Sequence, residues 1–503
     1  MKKSWSQFLL ALFCPYGMFF CIELGAETKK DPFESLHGPN IYSQDYINNQ
    51  PGVLTLGELL KSVEKSYPLV LAAEKLLSET EYNYLAAQGA FDLQFKAMGT
   101  TRPMGYYTNN TADSMFEKPT PLGGTSFFAG YRIGRGTFPV YDGKQQTNEY
   151  GEVRAGAVFP LMRNREIDKN RADLKKADID RKLAELSISK LKIEVVKEAS
   201  RRYWKWVATG QEYLVIKDLL SIAKNRQTQI NERIKLGDLP RMEGADNDRA
   251  ILQRESQLVS AERELQKAAI DLSLFLRAPD GGLILPTTDR LPVGFPNTIE
   301  YKKMDMEQSI KIAWKFRPEL MDFEFKREKA RVDQEMGFNS LKPQVDLLVA
   351  GSQDFGPGYV TKAKPELEAS LVLNLPIQTR RPRGQIGAAE AKIAQLDQEM
   401  QFSKDKIKTE VQDSISEVIA SAKRVEVTRS ELELSRKLEE MERDRFSLGD
   451  STLLFVNLRE QTSAEAAVRE IKALFDHHVA IANYQAATAS VLQIASFPAI
   501  PEK

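Results

Sequence analysis

The chain has 503 residues, 70 of them basic and 70 acidic, so its formal net charge at pH 7 is zero. A nucleic-acid-binding protein usually carries a basic excess, so this balance argues against that class. Charged residues make up 28% of the chain and lie mostly in long tracts without proline, and landmarks along the chain occur twice. A repeated set of landmarks predicts two copies of one unit rather than several unrelated domains.

The N-terminus has the features of a secretory signal peptide. Two lysines precede an apolar run over 8–20, and Leu24-Gly25-Ala26 follows it, with cleavage expected after Ala26. A buried helix or a membrane anchor would also be apolar, but Pro15 and Gly17 interrupt the run, which is short for a spanning helix. We therefore predict a signal peptide over 1–26. Both cysteines of the chain would be removed with it, so disulfides and thiolate chemistry are not expected in the mature protein.

The first unit is predicted over 54–278, after an N-terminal segment at 27–53. It begins with a helix at 54–90 and continues with two segments that alternate apolar and polar residues, which is typical of strands. The segment 101–151 between these strands is rich in Gly, Thr, Asn and Pro and indicates a large exposed loop; the sequence leaves open whether Thr125–Ile133 adds a strand to it. The apolar faces of the two strands are Phe91, Leu93, Phe95, Ala97 and Gly99, and Val153, Ala155, Ala157 and Phe159.

Two further alternating segments follow in the second half of the chain. Each of the four is about as long as a strand that crosses a bilayer at a tilt. A half-buried soluble sheet would produce the same alternation, but the export signal favours a membrane barrel. Four strands do not close a barrel, since closed barrels need about eight, and unpaired edges are very costly in lipid; several chains must therefore share one barrel. The two later apolar faces are Val345, Leu347, Val349 and Gly351, and Leu367, Ala369, Leu371 and Leu373.

Each strand pair is followed by a tract that predicts a very long helix. No proline lies between Pro160 and Pro240 or between Pro382 and Pro498, and a helix of about 70 residues would be about 100 Å long. Apolar residues recur at a spacing of seven in the second tract, which is typical of a coiled-coil seam. The first tract also carries an aromatic patch at 203–206, which indicates a packing belt or a ligand site. The seam residues are Ile393, Met400 and Ile407, followed by Val411, Val418, Val425 and Leu432.

Both long helices are predicted to end at a short turn and to return. Gly237 and Gly449 supply the left-handed backbone that ends a helix, and each stands in the same sequence, Leu-Gly-Asp. The aspartate after each glycine is placed to cap the returning helix. The returns, predicted at 241–278 and 451–492, are shorter than the outgoing helices, so the helices that open each unit are expected to complete the rods.

A linker rich in Gly and Pro is predicted at 279–303, before the second unit at 304–492 and a tail at 493–503. The landmarks follow the same order in both units, which is the evidence for an internal two-fold repeat. The matched landmarks are Pro68 and Pro318 in the first helix, Pro160 and Pro376 at a strand end, and Gly237 and Gly449 at the turn.

The export signal, the duplicated unit, the strand-end prolines and the two Leu-Gly-Asp turns together resemble the TolC-like outer-membrane efflux family over 54–492. The resemblance implies an α+β membrane protein that forms a homotrimer. Its shared 12-stranded β-barrel, with four strands per chain, would lie in outer-membrane lipid and continue as a long α-helical barrel in the periplasm.

The same resemblance implies the function. The molecule would be the passive exit duct of a tripartite efflux or type I secretion system, working without a cofactor. It would receive substrates from an inner-membrane transporter through a periplasmic adaptor (membrane fusion) protein. Adaptor docking in this family is carried by the tip turns. The predicted adaptor contacts are Leu236, Gly237, Asp238, Leu448, Gly449 and Asp450.

A periplasmic constriction is also implied near the tips. Family members with a tight gate carry acidic residues on the second tip helix; the matched positions here, Phe455 and Leu458, predict an apolar constriction, which can gate by dewetting. Phe446 stands where the family often has a tyrosine whose hydroxyl ties neighbouring helix pairs together, and phenylalanine cannot make that bond. Glu243 and Asp246 make the first tip acidic. They indicate a ring that attracts cations or a basic adaptor surface, or solvated residues that any helix start favours.

Two other classes of protein were compared with the sequence, an enzyme and a periplasmic adaptor or scaffold. An enzyme is not expected, because there is no nucleophile motif, metal-ligand spacing or phosphate loop; His477 and His478 are helix neighbours that point in different directions, and Asp476 before them lacks a third partner. A periplasmic coiled-coil adaptor or structural scaffold is the alternative function, since an adaptor also combines β-structure with a long helical hairpin. An adaptor normally has one hairpin per chain, however, and this sequence predicts two.

Overall fold

The computed structural model of the chain describes residues 52–296 and 305–491. The predicted signal peptide with both cysteines, almost all of the predicted N-terminal segment, the end of the predicted linker and the predicted tail lie outside these residues. None of the helices that the structure describes combines the length and apolarity needed to span a bilayer. The helices are α1 (Leu56–Ser66), α2 (Pro68–Gln88), α3 (Lys169–Lys235), α4 (Arg241–Ser273), α5 (Met306–Phe316), α6 (Pro318–Leu341), α7 (Arg380–Ser447) and α8 (Leu453–Ala487). The strands are β1 (Gln94–Arg102), β2 (Asn109–Pro119), β3 (Ser126–Gly136), β4 (Glu152–Pro160), β5 (Gln344–Asp354) and β6 (Glu366–Asn374).

The helices that open each half are broken at a proline. Tyr67 and Arg317 end α1 and α5 with extended backbones, at ψ 120° and 118°, because the residue before a proline disfavours the helical region. Pro68 and Pro318 then begin α2 and α6, at a position where a helix does not need the missing N–H. The X-Pro landmarks of the sequence therefore mark helix junctions with matching geometry.

Two very long helices carry the rest of the fold. α3 and α7 span 67 and 68 residues, while the returning helices α4 and α8 span 33 and 35. α2 packs against α3, and α6 packs against both α7 and α3, so the opening helices occupy the part of the rods that the returns leave free, as predicted. The seven-residue seam of α7 is buried from Met400 to Leu432, which confirms the coiled-coil prediction for that stretch.

The largest buried apolar cluster surrounds the aromatic patch of α3. Tyr203, Trp204 and Trp206 are each at most 4% exposed, and residues of α1 and α4 enclose them. The Tyr203 hydroxyl donates a hydrogen bond to the carbonyl oxygen of Leu54 at 2.9 Å. Because protein encloses these rings on all sides, the patch is a packing belt, as the first of the two interpretations predicted.

The strands form one antiparallel sheet in the order β1-β2-β3-β4-β5-β6. The four predicted strands correspond to β1, β4, β5 and β6, but the prediction of four strands per chain is wrong. The segment 101–151, interpreted as an exposed loop, contains β2 and β3, and Thr125–Ile133 largely coincides with β3. β2 was missed because residues 109–114 are mostly small or polar on both faces. Backbone pairing to a strand on each side, rather than side-chain alternation, makes it a strand.

The side chains of the sheet separate into an apolar face and a polar face. Directly opposed residues of antiparallel strands lie on the same face, as Phe95 and Phe116 do with ring centroids 5.0 Å apart. The apolar face is largely uncovered in the single chain: Phe95 is 60% and Leu367 79% exposed. Its other main residues are Ala97, Phe127, Ala129, Tyr131, Ile133, Val153, Ala155, Ala157, Phe159, Val345, Leu347, Val349, Ala369, Leu371 and Leu373.

Candidate functional site at the helix tips

Both long helices end in the same hydrogen-bonded turn. Gly237 and Gly449 lie in the left-handed region, at φ +83° and +81°. Each turn contains two bonds in the pattern of a Schellman motif, which satisfies the last carbonyl groups of a helix. The prediction that these glycines end the helices is confirmed. The bonds run from Gly237 N to Ile234 O (3.1 Å) and Asp238 N to Arg233 O (2.9 Å), and from Gly449 N to Phe446 O (3.1 Å) and Asp450 N to Arg445 O (2.9 Å).

The aspartates of the two turns do not cap the returning helices, so that prediction is wrong. α4 and α8 begin after Pro240 and Thr452, and neither N-cap residue makes a side-chain capping bond. The aspartates stand two residues too early, because the turn needs those residues to reverse the chain. Asp450 instead accepts a hydrogen bond from Arg445 Nε to its Oδ2 at 3.3 Å, within the turn itself.

The predicted adaptor contacts form the exposed ends of the rods. Leu236 and Leu448 are 77% and 83% exposed, and the glycine and aspartate that follow each are exposed as well. Leucines this accessible at the end of a rod are unusual for a solvated turn, which needs only glycine and polar residues. The two turns therefore offer a matching pair of small apolar contacts.

The residues predicted for the constriction lie close behind the turns. Phe455 and Leu458, in the first turns of α8, are 52% and 55% exposed on the side away from the buried Leu453. Glu243 and Phe446 are half-buried and Asp246 is exposed. The fold thus brings all five predicted residues to one end of the molecule. Whether they form a ring depends on neighbouring copies of the chain, so the constriction stays a prediction.

A buried ion-pair cluster behind the tips was not predicted from the sequence. Glu460 of α8 is 1% exposed and contacts three guanidinium groups. Nη2 of Arg254, on α4, donates a hydrogen bond to Oε2 of Glu460 at 3.0 Å. Nη2 of Arg443, on α7, donates a hydrogen bond to Oε1 at 3.1 Å, and Arg226, on α3, also donates a hydrogen bond to Oε1. Arg226 donates a further bond to Oδ1 of Asn457 at 2.8 Å. One carboxylate therefore connects all four helices of the two tips.

The electrostatics of this cluster favour a charged carboxylate. Burial would raise the pKa of the Glu460 carboxyl, but hydrogen bonds and charge from Arg226 and Arg254 outweigh burial and hold the pKa below its usual range. Arg254 is itself buried, and its Nη1 donates to the carbonyl oxygen of Leu219 at 3.0 Å. Without the carboxylate, these guanidinium groups would lose the charge that compensates their burial.

The sequence does contain one signal of this cluster. Buried residues recur every three or four positions along α8 and form one face of the helix. Glu460 lies on this face among apolar and small side chains. A carboxylate is buried in such a position only when it is paired. Its partners come from three other helices, so no spacing along the chain identifies them. The buried residues on this face include Leu453, Val456, Glu460, Ser463 and Ala467.

The neighbouring histidines of α8 belong to the packing belt rather than to a reactive site. His478 stacks on Trp204 with ring centroids 4.3 Å apart, and His477 Nδ1 lies 3.0 Å from Ser421 Oγ. Burial lowers the pKa of His477 to about 4; burial, with the neighbouring His477, lowers that of His478 to about 3. Asp476 faces away from them and pairs with Arg424 at 2.9 Å. Both rings are therefore neutral at pH 7.

Comparison with known proteins identifies the fold. No protein-family model and no curated protein matches the sequence. Among solved structures, CusC, described as forming a transmembrane channel, has a TM-score of 0.61 and 13% identity over 86% of this chain and 91% of its own. The Campylobacter jejuni CmeC outer membrane channel has a TM-score of 0.58 and 12% identity over 89% of this chain and 87% of its own. The open state of the Neisseria gonorrhoeae MtrE outer membrane channel has a TM-score of 0.59 and 12% identity over 86% and 88%.

At these identities the similarity is one of fold. It confirms, at that level, the resemblance to TolC-like outer-membrane channels that the strand-end prolines and tip turns predicted.

Proposed function

We propose that three copies of this chain form a passive exit duct, whose sheets share one barrel in the outer membrane and whose helices extend into the periplasm. One observation carries the proposal: a sheet with an exposed apolar face continues into helices of 67 and 68 residues, each about 100 Å long. A lipid-facing sheet joined to a rod of that length suits a molecule that crosses one membrane and a wide aqueous space. The fold of the outer-membrane channels supports the same function.

The two halves of the chain, 54–278 and 304–492, are proposed to be copies of one unit joined by the linker at 279–303. Each half runs from two helices joined at an X-Pro pair, through strands, to a long helix, a Leu-Gly-Asp turn and a shorter return. Such a duplication would explain how one chain supplies four helices at the level of the tips. A homotrimer would then supply a ring of twelve.

A passive duct needs partners that supply energy and cargo. We assign these roles to an inner-membrane transporter and a periplasmic adaptor, in a tripartite efflux or type I secretion system. The exposed Leu236 and Leu448 of the two turns would be the adaptor's main contacts, with Gly237, Gly449 and their aspartates beside them. No enzymatic step is part of this function.

The alternative function, a soluble adaptor or scaffold, does not account for the sheet. A soluble protein covers an apolar face of this size or uses it to bind a partner. Here Leu367, Leu371 and Leu373 are 79%, 65% and 66% exposed on one strand alone. Lipid covers such a face without any further chain, so the duct accounts for it more directly.

The mass of the protein extracted by detergent from the outer-membrane fraction, with detergent mass subtracted, tests this function. We expect a trimer that needs detergent to stay in solution, because the apolar face loses its lipid on extraction. A monomer, or protein released without detergent, would exclude the shared barrel and favour the adaptor or scaffold.

A further inference from the structure

The hairpin of β2 and β3 is part of the sheet rather than a loop above it. β2 pairs with β1 from residue 109 to 117 and with β3 along its whole length, and β3 pairs with β4 from residue 126 to 132. The turn between β2 and β3 reaches the end of the sheet where β4 passes into α3. There Gly124, at φ +69°, lies so close to the carbonyl oxygen of Asn164 and to Pro160 that a Cβ would collide with them. The hairpin therefore spans the full height of the sheet.

The hairpin continues the apolar face of its neighbours. Phe127 and Ala129 of β3 stand directly opposite Ala157 and Ala155 of β4. On the other side, Phe116 of β2 packs its ring against β1. In a solvated loop, the apolar side chains would not be expected to lie on the same face as those of the neighbouring strands. In a membrane barrel they would, because the lipid-facing residues of every strand are apolar.

Ion pairs hold the hairpin in place on the polar face. Arg154 of β4 lies opposite Gly130 of β3, and its side chain extends across β3 to β2. There its Nη2 donates a hydrogen bond to Oδ1 of Asp113 at 2.7 Å. Arg132 of β3 donates Nε to Oε2 of Glu152 on β4 at 2.9 Å. Charged pairs on this face suit a water-filled lumen, since lumen-facing residues of membrane barrels are polar. Backbone hydrogen bonds, apolar contacts on one face and ion pairs on the other thus all join the hairpin to β4.

We propose that the barrel of the duct has eighteen strands, six from each of three chains, an inference that rests on the trimeric duct proposed above. Within the part of the chain that the structure describes, β1 and β6 are the edges of the sheet and pair on one side only. β1 leads away from the helices and β6 leads back to them, so β6 of one copy meets β1 of the next in antiparallel pairing. With a second copy paired at each edge, the closed ring has no unpaired strand edge. Unpaired backbone groups are very costly in lipid, so a membrane barrel must close in this way.

The circumference of the helical ring is compatible with eighteen strands. Twelve helices with axes about 9 Å apart make a ring about 110 Å around. Strands about 4.8 Å apart and tilted by about 40° occupy about 6.2 Å each along the circumference. Eighteen of them would cover about 110 Å and twelve only about 75 Å. At that tilt, a barrel of eighteen strands would match the width of the helical ring.

Barrel width decides where passage is controlled. Barrels of about 16 to 18 strands leave an aqueous channel, so the barrel of this duct would not itself restrict its cargo. Control would then lie at the opposite end, at the tips.

The position of the 120–125 turn distinguishes eighteen strands from twelve. In the eighteen-stranded barrel this turn lies on the periplasmic side; in a barrel of four strands per chain, the hairpin would lie outside the cell. Single cysteines at Leu122, Met104 and Val140, which are 78%, 86% and 98% exposed, would be treated on intact cells with a maleimide coupled to a dextran too wide for the pore. We expect Met104→Cys and Val140→Cys to be labelled and Leu122→Cys to be labelled only after the outer membrane is opened.

Labelling of Leu122→Cys on intact cells, to the same extent as Met104→Cys, would overturn the inference. Pro121→Cys, in the same turn, repeats the test if Leu122→Cys accumulates poorly. The detergent-extracted mass of each variant separates this inference from the function on which it rests. An outer-membrane trimer with an externally labelled turn would disprove only the strand number, whereas loss of membrane association in the unlabelled parent would disprove the duct.

Discussion

Glu460 shows how one side chain joins parts of the chain that lie far apart in sequence. Its carboxylate contacts Arg226, Arg254 and Arg443, which come from both halves of the chain. Buried ion pairs contribute little net stability compared with a well-packed apolar core, but removing one member is costly because the others stay buried and charged. The cluster therefore links helices from both halves of the chain through one carboxylate.

We expect Glu460→Gln to destabilise the region behind the tips by about 3 kcal/mol, the usual cost of removing one partner of a buried pair. The amide can still accept a hydrogen bond but cannot compensate the charge of Arg226 and Arg254. Thermal denaturation of the purified protein, or hydrogen exchange of α8, would measure the effect. Glu465→Gln is the matched control, because Glu465 lies on the same helix and is exposed. Equal stability of the two variants would contradict the role of the cluster.

The two buried histidines predict a dependence of stability on pH. Their pKa values are lowered to about 4 for His477 and about 3 for His478, so the folded state favours the neutral rings. Their contribution is fully present above the ordinary histidine pKa of about 6.5 and is lost as the pH falls below it, by about 1.4 kcal/mol per pH unit for each ring. Thermal denaturation at pH 7.5 and pH 5 would show a loss of stability at pH 5.

The variant His478→Phe serves as the comparison, because phenylalanine keeps the stacking on Trp204 without a titrating group. Its loss of stability between pH 7.5 and pH 5 should be smaller than that of the parent protein. An identical loss in both proteins would assign the pH dependence to other groups.

The predicted apolar constriction depends on two side chains near the tip. If Phe455 and Leu458 narrow the pore, changing both to serine should raise the single-channel conductance. Serine is smaller than either residue, and its hydroxyl group favours water in the constriction. Met242→Ser is a control at the other tip, where the side chain is 72% exposed but is not predicted to line the constriction. An unchanged conductance in the double variant would move the gate elsewhere, with the acidic Glu243 and Asp246 as the next candidates.

At the scale of elements, the tip turn is the feature most sensitive to a single change. Proline at Gly449 is incompatible with φ +81° and removes the N–H that donates to Phe446. We expect Gly449→Pro to abolish export while the trimer and its membrane insertion persist, because the turn lies at the far end of the rods from the sheet. Export of a reporter cargo and the detergent-extracted mass would be measured together.

Asparagine at the same position is the matched control. Asparagine tolerates the left-handed region better than other residues with a Cβ, so Gly449→Asn should retain most export. Loss of the trimer in Gly449→Pro would show that the turn is needed for assembly rather than for docking.

At the scale of the whole molecule, the proposed assembly joins a layer of strands to a layer of helices. Each chain supplies a six-stranded sheet and four helices at the level of the tips. In the proposed trimer, eighteen strands tilted by about 40° and twelve helices would each make a ring about 110 Å around. The hairpin of β2 and β3 adds two of the six strands in each chain, and the sequence pattern had indicated a loop there.

The sequence alone determined the features that depend on local backbone and periodicity. Gly237 and Gly449 end helices because glycine adopts positive φ without strain, and Val411 and Val418 are fully buried because a seven-residue spacing keeps them on one side of α7. β1, β4, β5 and β6 were predictable because alternation with period two is written into each segment by itself.

Only the tertiary structure decided the features that depend on distant partners. β2 is a strand because β1 and β3 bond its backbone, although its own residues, mostly small or polar, give little sign of it. Glu460 is a structural residue because three helices bring arginines to it, and Asp238 fails as a cap because the turn occupies the residues between it and α4. Pairing across the fold and burial of charge are properties of contacts between segments, so no pattern within one segment carries them.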